Sequence, residues 1–247
     1  MNAAPDDQLR VLDLQGLDTA LDRLAHRRRT LPELEQIETM QDRVTRLADD
    51  IVLLETEDSD LAREQSKVDA DVDQVRTRME RDQQRLDSGQ VGSPRELENL
   101  QHEIESLKRR QSELEDVELE VMEKREVVQS RTGELRQEKE QLVLSLAEAE
   151  QRRDSTWAEI DAETEKTRTQ RAELAASLSD DLVTLYEKVR ASSGGVGAAA
   201  LHRGRCEGCH LQLNTTDLNR IREAPADDVV RCEECRRILV RTADSGL

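Results

Sequence analysis

The chain has 247 residues, with 37 Lys and Arg against 55 Asp and Glu, a formal charge of −18, no Phe, one Trp and one Tyr. That composition excludes a large globular core, and the acidic excess excludes a surface that binds nucleic acid as a whole, because phosphates would be repelled. Low hydrophobicity with high charge is also the mark of disorder, but here the apolar residues are regularly spaced, which points to a charged coiled coil.

Met1 to Leu9 carries acidic residues where a signal peptide is basic and then apolar, and no stretch approaches the roughly 20 apolar residues of a membrane span. The expected location is the cytoplasm, with no membrane partner. Leu14, Leu17, Leu21 and Leu24 mark a first helix, which Thr30-Leu31-Pro32-Glu33 interrupts or kinks. From Met40 the apolar residues fall at Val44, Leu47, Ile51, Leu54, Leu61, Val68, Val72, Val75, Met79 and Leu86, in alternating steps of four and three. This is the seam of a heptad repeat and predicts a left-handed coiled coil. After Asp87, the stretch Ser88-Gly89-Gln90-Val91-Gly92-Ser93-Pro94 reads as a helix-to-helix turn, with Ser93 as N-cap and Pro94 in the first helical position.

The seam resumes at Leu97, Leu100, Ile104, Leu107 and Leu114 and continues through Val121, Val128, Leu135 and Leu142. Two antiparallel helices about a short turn must pair residues whose numbers sum to a constant. Leu86 with Leu97, Met79 with Ile104, Val68 with Leu114, Leu61 with Val121, Leu54 with Val128, Leu47 with Leu135 and Met40 with Leu142 all sum to 182 or 183. The same rule sets Asp58 against Arg125 and Gln65 against Glu118. These polar layers either fix the register or lie at a wet two-helix interface and contribute little. Downstream, Trp157, Ile160, Leu174, Leu178, Leu182, Leu185 and Val189 continue the second helix to an end near Ser192-Ser193-Gly194-Gly195. By the constant-sum rule the stripe from Leu178 to Val189 has no partner on the N-terminal helix. The C-terminal segment, folded back through the two glycines, is expected to cover it; the alternative is a dimer seam, since nothing in the pattern sets an oligomeric state.

That segment carries Cys206-Glu207-Gly208-Cys209 and Cys232-Glu233-Glu234-Cys235, its two pairs separated by 22 residues. Two residues between cysteines let both thiolates of a tight turn reach one metal, and two such turns complete the tetrahedral sulfur set that zinc favours. A thiol–disulfide couple leaves the second pair unexplained, and an iron–sulfur cluster is the other use of four thiolates. Cys206, Cys209, Cys232 and Cys235 are therefore expected to hold one structural Zn2+. With every position taken by protein, no site is left for a substrate or an activated water, and the chain is not expected to be an enzyme. His210, beside Cys209, is read as a bystander. Leu211-Gln212-Leu213, Val229-Val230-Arg231 and Ile238-Leu239-Val240 are strand-like, and Thr216 to Arg222 forms a turn or two of helix. The expected fold is mainly α, a long antiparallel coiled-coil helical hairpin over 1–193, kinked near 30–32 and turning over 88–94. A small four-cysteine zinc ribbon follows over 194–247.

The sequences Pro94-Arg95-Glu96-Leu97 and Leu100-Gln101-His102-Glu103-Ile104, both cysteine knuckles and the closing Arg237-Ile238-Leu239 resemble the bacterial C4-type zinc-ribbon family over nearly the whole chain, above all its actinobacterial, mycobacterial-type members. The resemblance implies the same four cysteines as zinc ligands. It also implies a non-enzymatic adaptor that binds nucleic acid or proteins of transcription and secretion systems. Arg236 departs from the family's usual glycine after the last cysteine, which puts the backbone shape of that knuckle in question.

Two functions follow. As a protein-interaction adaptor, the chain docks a partner through the hairpin surface, its turn or the ribbon. As a nucleic-acid binder, it uses arginines of the ribbon, with Arg231, Arg236, Arg237 and Arg241 as the candidate contacts. Against the second stand eight acidic residues that balance the eight arginines between 203 and 247, and the lack of an aromatic side chain on which a base would stack. The first is preferred.

Overall fold

The seam residues and turn signals produce the elements they predict over most of the chain. The computed structural model describes residues 1–89 and 91–247. In chain order the elements are α1 (Pro5–Arg29), α2 (Pro32–Asp87), α3 (Pro94–Ala176), α4 (Asp180–Ser192), β1 (Ala198–His202), β2 (Arg205–Cys206), α5 (Thr215–Glu223) and β3 (Ile238–Arg241). Two compact units result, one of Glu35–Glu150 and one of Met1–Leu34 with Gln151–Leu247. No helix among the described residues is long and apolar enough to cross a membrane.

The unit of residues 35–150 is the antiparallel hairpin. Leu47, Ile51 and Leu54 pack with Leu135 and Leu142, and Val68, Val72 and Val75 with Leu114, in the register the sequence predicts. At the turn, the Ser93 hydroxyl accepts from the Glu96 N–H (3.3 Å) and the Glu96 carboxylate reaches back to the Gly92 N–H (3.1 Å). In this variant of the capping box the first bond satisfies a donor that the first turn of α3 would leave orphaned, and the second ties the residue before the N-cap to the helix. Gln90 of the expected turn lies outside the described residues. Exposed pairs Arg43–Glu138, Arg78–Glu103 and Arg85–Glu96, at 2.6–2.7 Å, flank the seam and contribute little to stability one by one.

Asp58 meets Arg125 at 3.0 Å, as expected. The second polar layer differs from expectation. Gln65 accepts from the same Arg125 (3.2 Å), because the guanidinium fork spans two turns of α2, and Glu118 instead faces Asp69. Desolvation and then the Asp69 charge push the Glu118 carboxyl above its ordinary value.

In the other unit, α1 stops at Arg29 and α2 starts with Pro32 in its first turn, so the chain breaks at Thr30-Leu31. Leu31 is buried there with Leu24 and Ile160, packed by Leu34 and Trp157. The Trp157 indole N–H donates to the Arg28 carbonyl (3.2 Å), and the Arg28 and Arg153 guanidinium groups lie 4.6 and 4.9 Å from its ring centroid.

The expectation of one helix running to Ser192 is corrected. It breaks at Ser177-Leu178-Ser179, where Ser179 is extended (ψ 142°) and Asp180 and Asp181 open α4. Serine followed by two acidic residues is a helix start, and here that signal outweighs the continuing apolar period. Because α4 is a separate helix, its stripe does find the N-terminal helix. Leu178, Leu182 and Tyr186 pack with Val11 and Leu14 of α1 as well as with Ala198, Ile238 and Val240 of the ribbon. Packing against the ribbon was expected; packing against α1 was not.

The ribbon sheet has the order β2-β1-β3, with β1 antiparallel to β2 and parallel to β3. Its central strand, Ala198–His202, escapes sequence reading because alanine is a poor strand former and the burial comes from both neighbours. Arg203 (φ 47°) and Gly204 (φ 76°) form the two-residue β1–β2 turn, both left-handed as such hairpins require. Of the expected runs only Ile238–Leu239–Val240 is a strand; Gln212 and Arg231 each make a single bridge.

Candidate metal centre

Both Cys-x-x-Cys segments fold into the same knuckle. The His210 N–H donates to the Cys206 carbonyl (2.8 Å) and the Arg236 N–H to the Cys232 carbonyl (2.9 Å). The first cysteine of each pair closes the loop from the other side, Cys206 N–H to Leu211 O and Cys232 N–H to Arg237 O, both at 3.0 Å. This shape forces the residue after the second cysteine into the left-handed region, with φ 61° at His210 and 62° at Arg236. Arg236 thus adopts the glycine conformation itself, and the knuckle keeps its form at the cost of local strain. Arg236→Gly is expected to raise stability by up to about 1 kcal/mol, the strain relieved being partly offset by the freer unfolded chain, as a denaturant midpoint would show.

The knuckles bring the four Sγ atoms within 4.8 Å of one another, with Cys206–Cys235 and Cys209–Cys232 each at 3.9 Å. Zinc bound tetrahedrally at about 2.3 Å sets its sulfurs about 3.8 Å apart. The donor set therefore fits one zinc ion. Burial pushes the Cys206 thiol up to about 12 and raises Cys232 as well. At Cys235 burial also opposes the thiolate, but hydrogen bonds from the Arg237 backbone and side chain outweigh it and bring it down to about 7. Buried thiols that resist ionisation become thiolates only against a cation. Cys206 and Cys232 also belong to the ribbon's core, with Ala199, Leu201, Leu213, Ile221 and Leu239, so a bound metal would hold that core together. His210 lies outside the sulfur set and is exposed.

Three of the four candidate arginines are engaged by the chain's own backbone carbonyls. Arg241 donates to the carbonyls of Ala224 (3.0 Å), Pro225 (2.8 Å), Ala226 (2.9 Å) and Asp228 (2.7 Å), pinning the loop before the second knuckle. The N-terminus clasps the same loop, with Ala3 N–H to Asp227 O at 2.7 Å and Val229 N–H to Met1 O at 3.0 Å. Arg237 donates to Val196 O (2.9 Å) and Ser193 O (2.7 Å), and Arg231 to Arg236 O (2.7 Å). Arg236 donates to no backbone carbonyl among the described residues; its exposed side chain pairs with Glu233 at 3.7 Å. Backbone carbonyls of irregular loops need donors, and arginine supplies several from one side chain. Among the exposed arginines of the ribbon, Arg203 and Arg205, at the β1–β2 turn, form neither an ion pair nor a side-chain hydrogen bond among the described residues, whereas Arg222 donates to Asn219 and Arg231 to Arg236 O.

Sequence reading also missed a buried polar cluster beneath the sheet. Asp18 accepts from Arg171 (2.8 Å) and from the Tyr186 hydroxyl (2.7 Å), and Gln15 Oε1 accepts from the Gly197 N–H (2.6 Å). Gly197 is required because a Cβ there would lie 2.8 Å from the Tyr186 ring and carbonyl. The signal was present: a lone Tyr, in a chain almost devoid of aromatics, lay on the stripe predicted to be covered.

A family described as the CT398-like coiled coil hairpin domain matches residues 14–194, and one described as the C4-type zinc ribbon domain matches residues 205–239. An uncharacterized protein of Mycobacterium tuberculosis is 38% identical over 241 residues, covering 98% of this chain and 98% of the relative. A solved structure from Mycobacterium smegmatis is 35% identical with a TM-score of 0.85, covering 98% of this chain and 100% of that one. CT398 of Chlamydia trachomatis shares the fold at 19% identity, with a TM-score of 0.71 over 96% of this chain and 98% of its own.

Proposed function

The chain belongs to the family of CT398-like coiled-coil hairpins ending in a C4-type zinc ribbon, and from that premise we propose that it is a non-enzymatic adaptor whose partner is a protein. One observation carries this reading: the hairpin exposes large apolar side chains, among them Leu53, Leu119, Val127 and Leu144, on an otherwise charged surface. Solvated charge explains why a hairpin stays dissolved, but exposed leucine and valine gain free energy only when something covers them. The ribbon supports the same conclusion from the other side, since Arg231, Arg237 and Arg241 are engaged by the chain's own carbonyls. The family resemblance directs the search for partners to machinery of the transcription or secretion type, in the cytoplasm.

The alternative, nucleic-acid binding by the ribbon, rests on Arg203 and Arg205 beside the exposed His202. Titrating the full chain with single-stranded RNA and duplex DNA over a range of salt separates the two. The adaptor reading expects nothing tighter than the roughly 10⁻⁴ to 10⁻⁶ M of non-specific contact at physiological salt. Tighter binding that falls steeply with salt and is lost in Arg203→Ala/Arg205→Ala would replace it with the nucleic-acid reading. Those two are the residues to change, because Arg241→Ala removes the ribbon's own loop contacts and reports folding instead.

A further inference from the structure

We propose that the hairpin docks a basic amphipathic helix of its partner in a groove between α2 and α3 centred on Val127; this rests on the adaptor reading above. The groove, of about 460 Å³, is lined by Glu57, Glu120, Glu123, Lys124, Val127 and Val128. Val127 is 69% exposed and Leu53, one helical turn before Glu57, is 68% exposed, the highest values among the chain's large apolar residues. Their numbers sum to 180, close to the pairing constant of the hairpin, so the two flank the same level of the helix pair. A floor of Val127 and Val128 between two helices, with Leu53 exposed at the same level, fits apolar anchors on one face of a third helix, at i, i+3 or i+4 and i+7.

The rim sets the sign of the occupant. Glu57, Glu120 and Glu123 form no ion pair among the described residues, whereas Arg43–Glu138, Arg78–Glu103 and Arg85–Glu96 neutralise one another along the same hairpin. Lys124 is the lining's single cation. Three unpaired carboxylates around exposed valine and leucine complement Lys and Arg flanking an apolar stripe. They repel phosphate, whether of nucleic acid or of an anionic lipid surface, and they repel a second copy of this face.

The test uses the full chain and a labelled synthetic helix of about 18 residues, with leucines on one face and lysines on the rest. Two control peptides replace the lysines with glutamates or the leucines with serines. The leucine–lysine peptide is expected to bind, and to lose at least about tenfold in affinity both to Leu53→Gln/Val127→Gln and to Glu57→Gln/Glu120→Gln/Glu123→Gln. Glutamine keeps helix propensity, and far-ultraviolet circular dichroism verifies that each variant retains its helices. Neither control peptide is expected to bind comparably. Absence of binding, equal binding by the serine peptide, or affinity unchanged by Leu53→Gln/Val127→Gln would each overturn the groove. So would a wild-type dimer in sedimentation that dissociates in that variant, since the occupant would then be a second copy. If neither this peptide nor RNA binds, the groove falls and the adaptor reading stands; if RNA binds with a steep salt dependence, the adaptor reading itself falls.

Discussion

Stripping the metal from the full chain with a strong chelator is expected to unfold the ribbon while the hairpin of residues 35–150 stays helical. The expectation follows from where the sulfurs sit. Cys206 and Cys232 are buried among Leu201, Leu213, Ile221 and Leu239, a cluster with no aromatic residue and little volume. A structural zinc supplies on the order of 10–16 kcal/mol in small metal-dependent domains, against a total stability of about 5–15 kcal/mol for ordinary ones. The contacts of so small a cluster do not replace that, and Ala198, Ile238 and Val240, which pack with α1 and α4, belong to a separate cluster that includes neither knuckle. The hairpin, by contrast, is held by its own seam at Leu47, Leu135, Val68 and Leu114. Amide exchange is the direct measurement. Protection should vanish over 198–241 after one equivalent of zinc is removed and return when zinc is restored, and Cys206→Ser should reproduce the loss without chelator. Protection that survives loss of the metal would show that the sheet, and not the ion, holds the knuckles.

Much of this molecule was legible because its determinants are periodic or local. The heptad seam, the Ser93–Pro94 helix start and the two cysteine pairs depend on spacing alone, so the hairpin register and the sulfur cluster follow from position numbers. What escaped depends on tertiary partners. Ala198–Leu201 becomes the central strand only because β2 and β3 flank it. Arg241 and Arg237 look like any surface arginine until the carbonyls of 224–228 and of Ser193 and Val196 are placed around them. The break before α4 is the exception, since Ser179-Asp180-Asp181 carries its signal locally while the apolar period runs through it without interruption.

The second large effect is expected at Asp18, whose side chain is only 5% exposed. It takes two hydrogen bonds from Arg171 (2.8 and 3.3 Å) and one from Tyr186 (2.7 Å), and Arg190 Nε lies 3.5 Å away. Asp18→Ala leaves Arg171 and Arg190, each three-quarters buried, short of their shared anion, and breaking such a pair costs about 3–5 kcal/mol. The lower end is expected, because Arg171 keeps Glu187 and Arg190 keeps Asp22. Tyr186→Phe removes one donor of three and should cost only about 1 kcal/mol. The pH dependence separates charge from packing. Burial opposes ionisation of Asp18, but the hydrogen bonds of Arg171 and Tyr186 and the charges of Arg171 and Arg190 outweigh it and hold the carboxyl below the ordinary aspartate range. The folded state therefore releases the proton more readily than the unfolded chain. Its stabilising contribution is complete above an unfolded value of about 3.9 and is lost as pH falls through the lower folded value. Wild type should lose stability over that acid window and Asp18→Asn should lose less. Trp157 and Tyr186, the chain's only aromatic residues, both lie in the unit that contains Asp18, so near-ultraviolet circular dichroism reads its unfolding separately from the hairpin. Equal acid sensitivity in wild type and Asp18→Asn would mean that the carboxylate is held by packing and not by its cations.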